Sequence, residues 1–186
     1  MKTIGILHPG KMGGTIAHSL QGSGHRLIWA SEGRSDETSA RAAEFDLEDV
    51  GTLDALVEQS EVIFCVVNGG VCLDIARQVA SIGFRGIYCE ANGMWGEESE
   101  KEIAEIFTSA EIDYVEVGLY GWPHPGRDGF TDEHTMYLSG DSAGTVSELF
   151  NNGYWSVQIS DTSAKQIKRE RHDRERAANE AAGHPT

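Results

Sequence analysis

The chain has 186 residues, long enough for one domain with a substantial core and short for two. With 15 Lys and Arg against 30 Asp and Glu it carries a formal charge of −15, which argues against nucleic acid and anionic membrane surfaces as partners and leaves a small molecule or another protein. Cys65, Cys72 and Cys89 lack CxxC spacing, the longest apolar run (VIFCVV) is too short to span a bilayer, and no basic segment with a following apolar stretch opens the chain. These features predict free, buried thiols in a soluble cytoplasmic protein without a membrane segment.

The chain begins with the strand-like run TIGIL (3–7) and turns at once on HPGKMGG. Pro9 fixes φ and Gly10 permits positive φ, so a sharp turn with close backbone approach is open there. The helical segment GGTIAHSLQGSG (13–24) follows, its unpaired N–H groups and positive dipole end directed across the loop. Such a turn is an anion site suited to a pyrophosphate. In the dinucleotide fingerprint GxGxxG the second and third glycines fall on Gly10 and Gly13, while His8 replaces the first; a plain tight turn is the alternative.

HRLIWA (25–30) reads as the second strand, ending in LIWASEGRS. Ser31, Arg34 and Ser35 offer a charge-assisted fork and two hydroxyls, which favours a ribose 2′-phosphate, and so NADP over NAD, although Glu32 stands among them. The alternative there is a helix cap beside a solvated Arg. Onward, DETSARAAEF (36–45), TLDALVEQ (52–59), VCLDIARQVASI (71–82) and EESEKEIAEIFTSA (97–110) read as helices; VIFCVV (62–67), GIYCEA (86–91) and IDYVEV (112–117) read as strands. Strands without clean polar alternation, separated by helices, imply a parallel sheet covered on both faces, a doubly wound α/β domain.

GLYGWPHPGRDGFTDEH (118–134) has no helical or strand period, and a stretch of that length is more often functional than decorative. His124, Asp128, Asp132, Glu133 and His134 lie close together there without ordered ligand spacing, so no metal is expected. HTMYLSG (134–140) reads as a strand, DSAGTVSELF (141–150) as a helix capped by Asp141, and YWSVQIS (154–160) as a last strand. From Asp161 to Thr186 the chain is charged and poor in large apolar residues, which predicts a frayed or disordered helical tail with no apolar face wide enough to dock. The expected organisation is one domain over 1–160 and a tail over 161–186.

HPGKMG, WASEGRS, CVVNGG, YCEANG and GLYGWPHPGRDG followed by MYLSGD, in this order over about residues 1–160, resemble the amino-terminal NADP-binding domain of the 6-phosphogluconate dehydrogenase-like and β-hydroxyacid dehydrogenase superfamily, near imine reductases. The resemblance implies a Rossmann-like, mostly parallel sheet without the usual complete helical C-terminal domain. It implies an NADP-dependent oxidoreductase moving a hydride to or from a small hydroxy acid, carbonyl or imine. Carried over by position, Pro9, Gly10, Lys11 and Met12 line the pyrophosphate in the turn that His8 and Gly13 complete. Ser31, Arg34 and Ser35 hold the 2′-phosphate, Val66, Val67 and Asn68 lie beside the ribose, and Asn92 stands near the nicotinamide. Gly118, Tyr120 and Gly121 meet the substrate, and Lys168 takes the place of the family's acid or base, with Lys165 one turn earlier as a fallback.

Relatives continue into a helical domain that completes the substrate pocket. The chain therefore reads either as a truncated relative or as a non-catalytic NADP-binding module, with a compact deazaflavin-dependent NADP reductase as a third reading. An incomplete pocket and the apolar set Trp95, Tyr120, Trp122 and Phe130 are compatible with association as a homodimer; the alternative is that these aromatics belong to the core or to a loop packed on itself.

Overall fold

The computed structural model describes residues 1–67, 69–93, 97–121, 134–150 and 154–182. Helices and short strands alternate along it: β1 (Thr3–Ile6), α1 (Lys11–Leu20), β2 (Arg26–Trp29), α2 (Asp36–Glu44), β3 (Glu48–Asp49), α3 (Leu53–Gln59), β4 (Val62–Cys65), α4 (Cys72–Ile82), β5 (Ile87–Glu90), α5 (Glu97–Ser109), β6 (Asp113–Tyr120), β7 (Thr135–Ser139), α6 (Ala143–Ser147), β8 (Ser156–Ile159) and α7 (Ala164–Ala181). The strands form one sheet in the order β3-β2-β1-β4-β5-β6-β7-β8. Every pairing is parallel except β6 with β7. This is the Rossmann-type doubly wound α/β arrangement, in which ligands bind outside the carboxyl ends of the strands where the order reverses, here between β1 and β4.

The period of two along each strand sorts the core into two layers. Ile4, Ile6, Trp29, Phe64, Cys89, Val115, Val117, Met136 and Leu138 pack with Ile16 and Leu20 of α1 and Phe45 after α2. Leu7, Ile28, Ile63, Cys65 and Tyr88 face the other way, against Leu56 of α3, Val79 of α4 and Phe107 of α5. All three cysteines are free and buried. Among the described residues no helix is long and apolar enough to cross a membrane.

Several boundaries differ from the sequence reading; strand β6, for one, runs on to Tyr120, into the stretch read as having no strand period, and four further differences have a local cause. Helix α1 begins at Lys11, because Gly10 already takes the extended N-cap conformation, and it stops at Leu20, just before Gly22 and Gly24 at positive φ. Strand β3 has only two exposed residues and carries no apolar signal of its own; pairing with Ile28 and Trp29 defines it. Asp141 is not the cap of α6. Ser142 holds that position without a side-chain cap, and the turn closes through the backbone, Ala143 N–H donating to the Gly140 carbonyl (3.0 Å) with Gly140 at φ 123°. The charged segment after Ile159 is a docked helix, α7, capped by Ser163 and laid across β6 and β7.

Docking of α7 needs no apolar stripe, because β6 and β7 turn polar or small residues towards it. Ser163 Oγ donates to Glu116 (2.6 Å), Ala164 N–H donates to Ser139 Oγ (3.1 Å), and Arg171 donates to Thr135 Oγ1 (3.0 Å) and Tyr137 Oη (3.2 Å). Gly118 lies beneath the first turn, where a β-carbon would come within 2.5 Å of the Ala164 carbonyl oxygen.

Candidate cofactor site

The turn after β1 is built by two glycines. A β-carbon on Gly13 would run into the carbonyl oxygen of His8, so α1 approaches the end of β1 more closely than any other residue allows. At Gly10 a β-carbon would stand 2.8 Å from both Cε1 and Nδ1 of His8, so the imidazole lies against the bare backbone of the turn. Pro9 and Gly10 are buried, Met12 is half-buried, and Lys11 is exposed.

Two arginines approach this turn. Arg41 Nε donates to the Pro9 carbonyl oxygen (3.2 Å) and its Nη1 pairs with Glu37 (2.7 Å). Arg34, in the loop after β2, keeps its Nε buried without a hydrogen-bond partner. Burial, Arg34 and Arg41, in that order, hold the His8 imidazole below the usual histidine range. Ser31 N–H donates to Asp49 Oδ1 (3.2 Å), and Ser35 caps α2 by accepting from Thr38 N–H (3.3 Å), so these two are already engaged in shaping the loop.

Further along the same edge, Asn92 Oδ1 accepts from Val67 N–H (2.7 Å), tying the end of β5 to the end of β4. Asn92 N–H donates to Glu90 Oε1 (2.9 Å) and its amide to Cys65 Sγ (3.4 Å). Glu90 is fully enclosed and faces Lys165 Nζ at 3.8 Å, the lysine itself 2% exposed. Burial outweighs the attraction of Lys165 and lifts the Glu90 carboxyl to about 7. Lys168 Nζ hangs over Gly93, where a β-carbon would meet it at 2.8 Å. Burial, then Lys165 and Arg169, push its amine below the usual lysine range against the opposing pull of Glu100, which Arg169 holds at 2.8 Å.

His8, Pro9, Gly10, Lys11, Met12, Gly13, Ser31, Arg34 and Ser35 thus gather at the ends of β1 and β2, and Val66, Val67, Asn92 and Lys168 at the ends of β4 and β5. Gly118 is buried as the seat of α7; Tyr120 lies under the Arg171 guanidinium (3.7 Å to the ring centre) and donates its hydroxyl to Glu175, with Gly121 next to it at φ 118°. Asn68, Trp95, Trp122, His124, Asp128, Phe130, Asp132 and Glu133 lie outside the described residues. Sequence reasoning overlooked Glu90 and Arg41: the first is an acidic residue in the interior, the second acts across 32 positions. A hollow of about 420 Å³ lined by Lys2, Glu61, Phe84, Arg85 and Asp113 lies on the opposite edge of the sheet.

No protein-family model and no curated protein matches the chain. Solved structures with the same fold do. One is a conserved protein of unknown function described as structurally similar to 3-hydroxyacid dehydrogenases: TM-score 0.77, 23% identity, over 91% of this chain and 62% of that one. Another is an imine reductase from Myxococcus stipitatus in complex with NAD+: TM-score 0.74, 17% identity, over 100% and 68%. A reductive aminase from Aspergillus terreus, in complex with NADPH4, cyclohexanone and allyl amine, gives a TM-score of 0.70 at 14% identity, over 98% and 63%. The fold is therefore the one found in 3-hydroxyacid dehydrogenase-like and imine reductase structures. The chain spans 62%, 58% and 63% of the length of three of these solved proteins.

Proposed function

We propose that the crevice at the carboxyl ends of β1, β2 and β4 binds NADP(H), and that the chain carries the cofactor-binding part of an oxidoreductase moving a hydride to or from a small hydroxy acid, carbonyl or imine. The observation that carries this reading is the buried Arg34 Nε without a partner, beside a glycine turn at the reversal point of the sheet. A buried guanidinium N–H is costly to leave unpaired, and a ribose 2′-phosphate supplies the missing acceptor. Gly10 and Gly13 let the pyrophosphate approach the start of α1. The nicotinamide, when bound, supplies or accepts the hydride.

The chain's own residues provide the rest. Asn92, fixed by Val67 N–H, orients the reacting end, and Lys168, with a proton held less tightly than usual, gives it to or takes it from the substrate oxygen or nitrogen. Calorimetric titration with NADPH and with NADH tests the reading. Arg34→Ala is expected to weaken NADPH by about 1.5–3 kcal/mol, roughly 10- to 150-fold, and NADH little. Equal loss for both cofactors, or binding of neither by the wild type, contradicts it. Lys168→Met is expected to leave NADPH affinity within about twofold and lower turnover of an aldehyde, keto acid or cyclic imine substrate by at least roughly 100-fold.

A further inference from the structure

The cofactor fingerprint usually begins with a glycine, and this chain has a histidine there. His8 is half-buried, its imidazole rests against Gly10, and the ring makes no hydrogen bond among the described residues. Two guanidinium groups are near enough to act on it electrostatically: Arg34 from the loop after β2, with its buried Nε lacking a partner, and Arg41 from α2, anchored on the Pro9 carbonyl. Three elements thus direct basic groups at one turn, in a chain whose net charge is −15. Among the described residues the one carboxylate engaged with them is Glu37, 77% exposed, paired to Arg41. Lys11, Glu32 and Asp36 are exposed to solvent, and Asp49 accepts from the Ser31 and Gly51 N–H groups.

We propose that His8 is a phosphate ligand of this site and takes up one proton from solvent when the 2′-phosphate of the dinucleotide binds, so that NADPH affinity rises as pH falls from 8 towards 6.5. The proposal rests on the NADP(H) reading above. In the free protein burial, then the two arginines, hold the imidazole below the usual histidine range and so favour the neutral ring, which offers a single N–H. A phosphate monoester brings a charge of about −1.5 to −2 into the same space. That charge offsets both arginines and favours the imidazolium, which donates to a phosphate oxygen. No covalent bond changes; the balance is one proton gained from water by the complex.

Linkage fixes the size of the effect: uptake of one proton raises affinity at most tenfold per pH unit. Titrations at pH 6.5, 7.2 and 8.0, each in two buffers of different ionisation enthalpy, count the protons directly. For the wild type we expect uptake approaching one proton at pH 7.2 with NADPH and with adenosine 2′,5′-bisphosphate, a smaller net uptake at pH 6.5, where the free phosphate already carries part of a proton that it loses on binding, and less than about 0.2 with NADH. His8→Gln, and separately His8→Gly, which restores the fingerprint glycine, should bind NADPH without proton uptake. In parallel, the His8 ring resonance should titrate at higher pH once the bisphosphate is added. NADPH binding without uptake in the wild type, or uptake that survives in His8→Gln, overturns the proposal while leaving the cofactor reading standing. Binding of neither dinucleotide overturns the cofactor reading itself.

Discussion

A methyl group at position 13 has no room, since the atom it would strike belongs to the backbone of His8 and has nowhere to yield. Gly13→Ala is expected to cost about 1–3 kcal/mol of stability by urea denaturation, the range typical of forced overpacking. The Glu90–Lys165 pair has a different signature. Because the folded carboxyl holds its proton up to about 7 against an ordinary 4.5, its effect on stability is least unfavourable below 4.5. Between those values the folded state keeps a proton that the unfolded chain has released, so stability falls as pH rises through this window and levels off above it. Glu90→Gln should flatten that part of the curve, measured by denaturation at pH 4.5, 6 and 8. Lys165→Met should cost on the order of 3–5 kcal/mol at pH 8, where an uncompensated buried carboxylate remains. The placement of Gly10, Gly13 and Arg34 at the ends of β1 and β2 was legible in the sequence, because a turn glycine and a strand-end arginine have meaning at fixed local spacing. Glu90 and Arg41 were not: their roles come from burial and from contacts made across the fold.

Among the elements, α7 is where local pattern and structure part. Judged by its own sequence the segment has no face to bury, and that judgement overlooks the surface on which it lies. In DYVEVGLY the residues Val115, Val117 and Leu119 enter one core layer, while Glu116, Gly118 and Tyr120 remain for the other face; TMYLS alternates likewise. The alternation was there to be read, but only the docked helix explains its purpose. The attachment is a ladder of polar contacts that runs through Arg171, which stacks on Tyr120 and donates to Thr135 and Tyr137, to Glu175, which accepts from the Tyr120 hydroxyl. Arg171→Ala should therefore loosen the distal turns without unfolding the sheet. Amide exchange from about residue 170 onward is expected to speed up roughly 10- to 100-fold, with β1, β4 and β5 unaffected. Uniform acceleration across the sheet would mean that α7 is part of the global folding unit.

For the whole molecule, the alternation of strands and helices was enough to give a doubly wound sheet, because burial on both faces leaves an apolar run that a parallel strand shares with few alternatives. The antiparallel entry of β7 was not readable, since nothing in HTMYLSG states its direction. That reversal sets the course of the remaining chain. Strands β7 and β8 run back towards the edge opposite the cofactor turn, so α7 starts low beside Glu116 and climbs along β6 to Tyr120. Its 18 residues rise about 27 Å, of which the stretch from Ser163 to Glu175 takes roughly 18 Å, so the last turns extend about 9 Å beyond that anchor. Mechanically the helix is held on both sides of Lys168, at Gly118 below and at Arg171 and Glu175 above, like a beam on two bearings. The amine over Gly93 sits between those bearings, so a sideways load on the turns past Glu175 is taken up before it reaches Lys168.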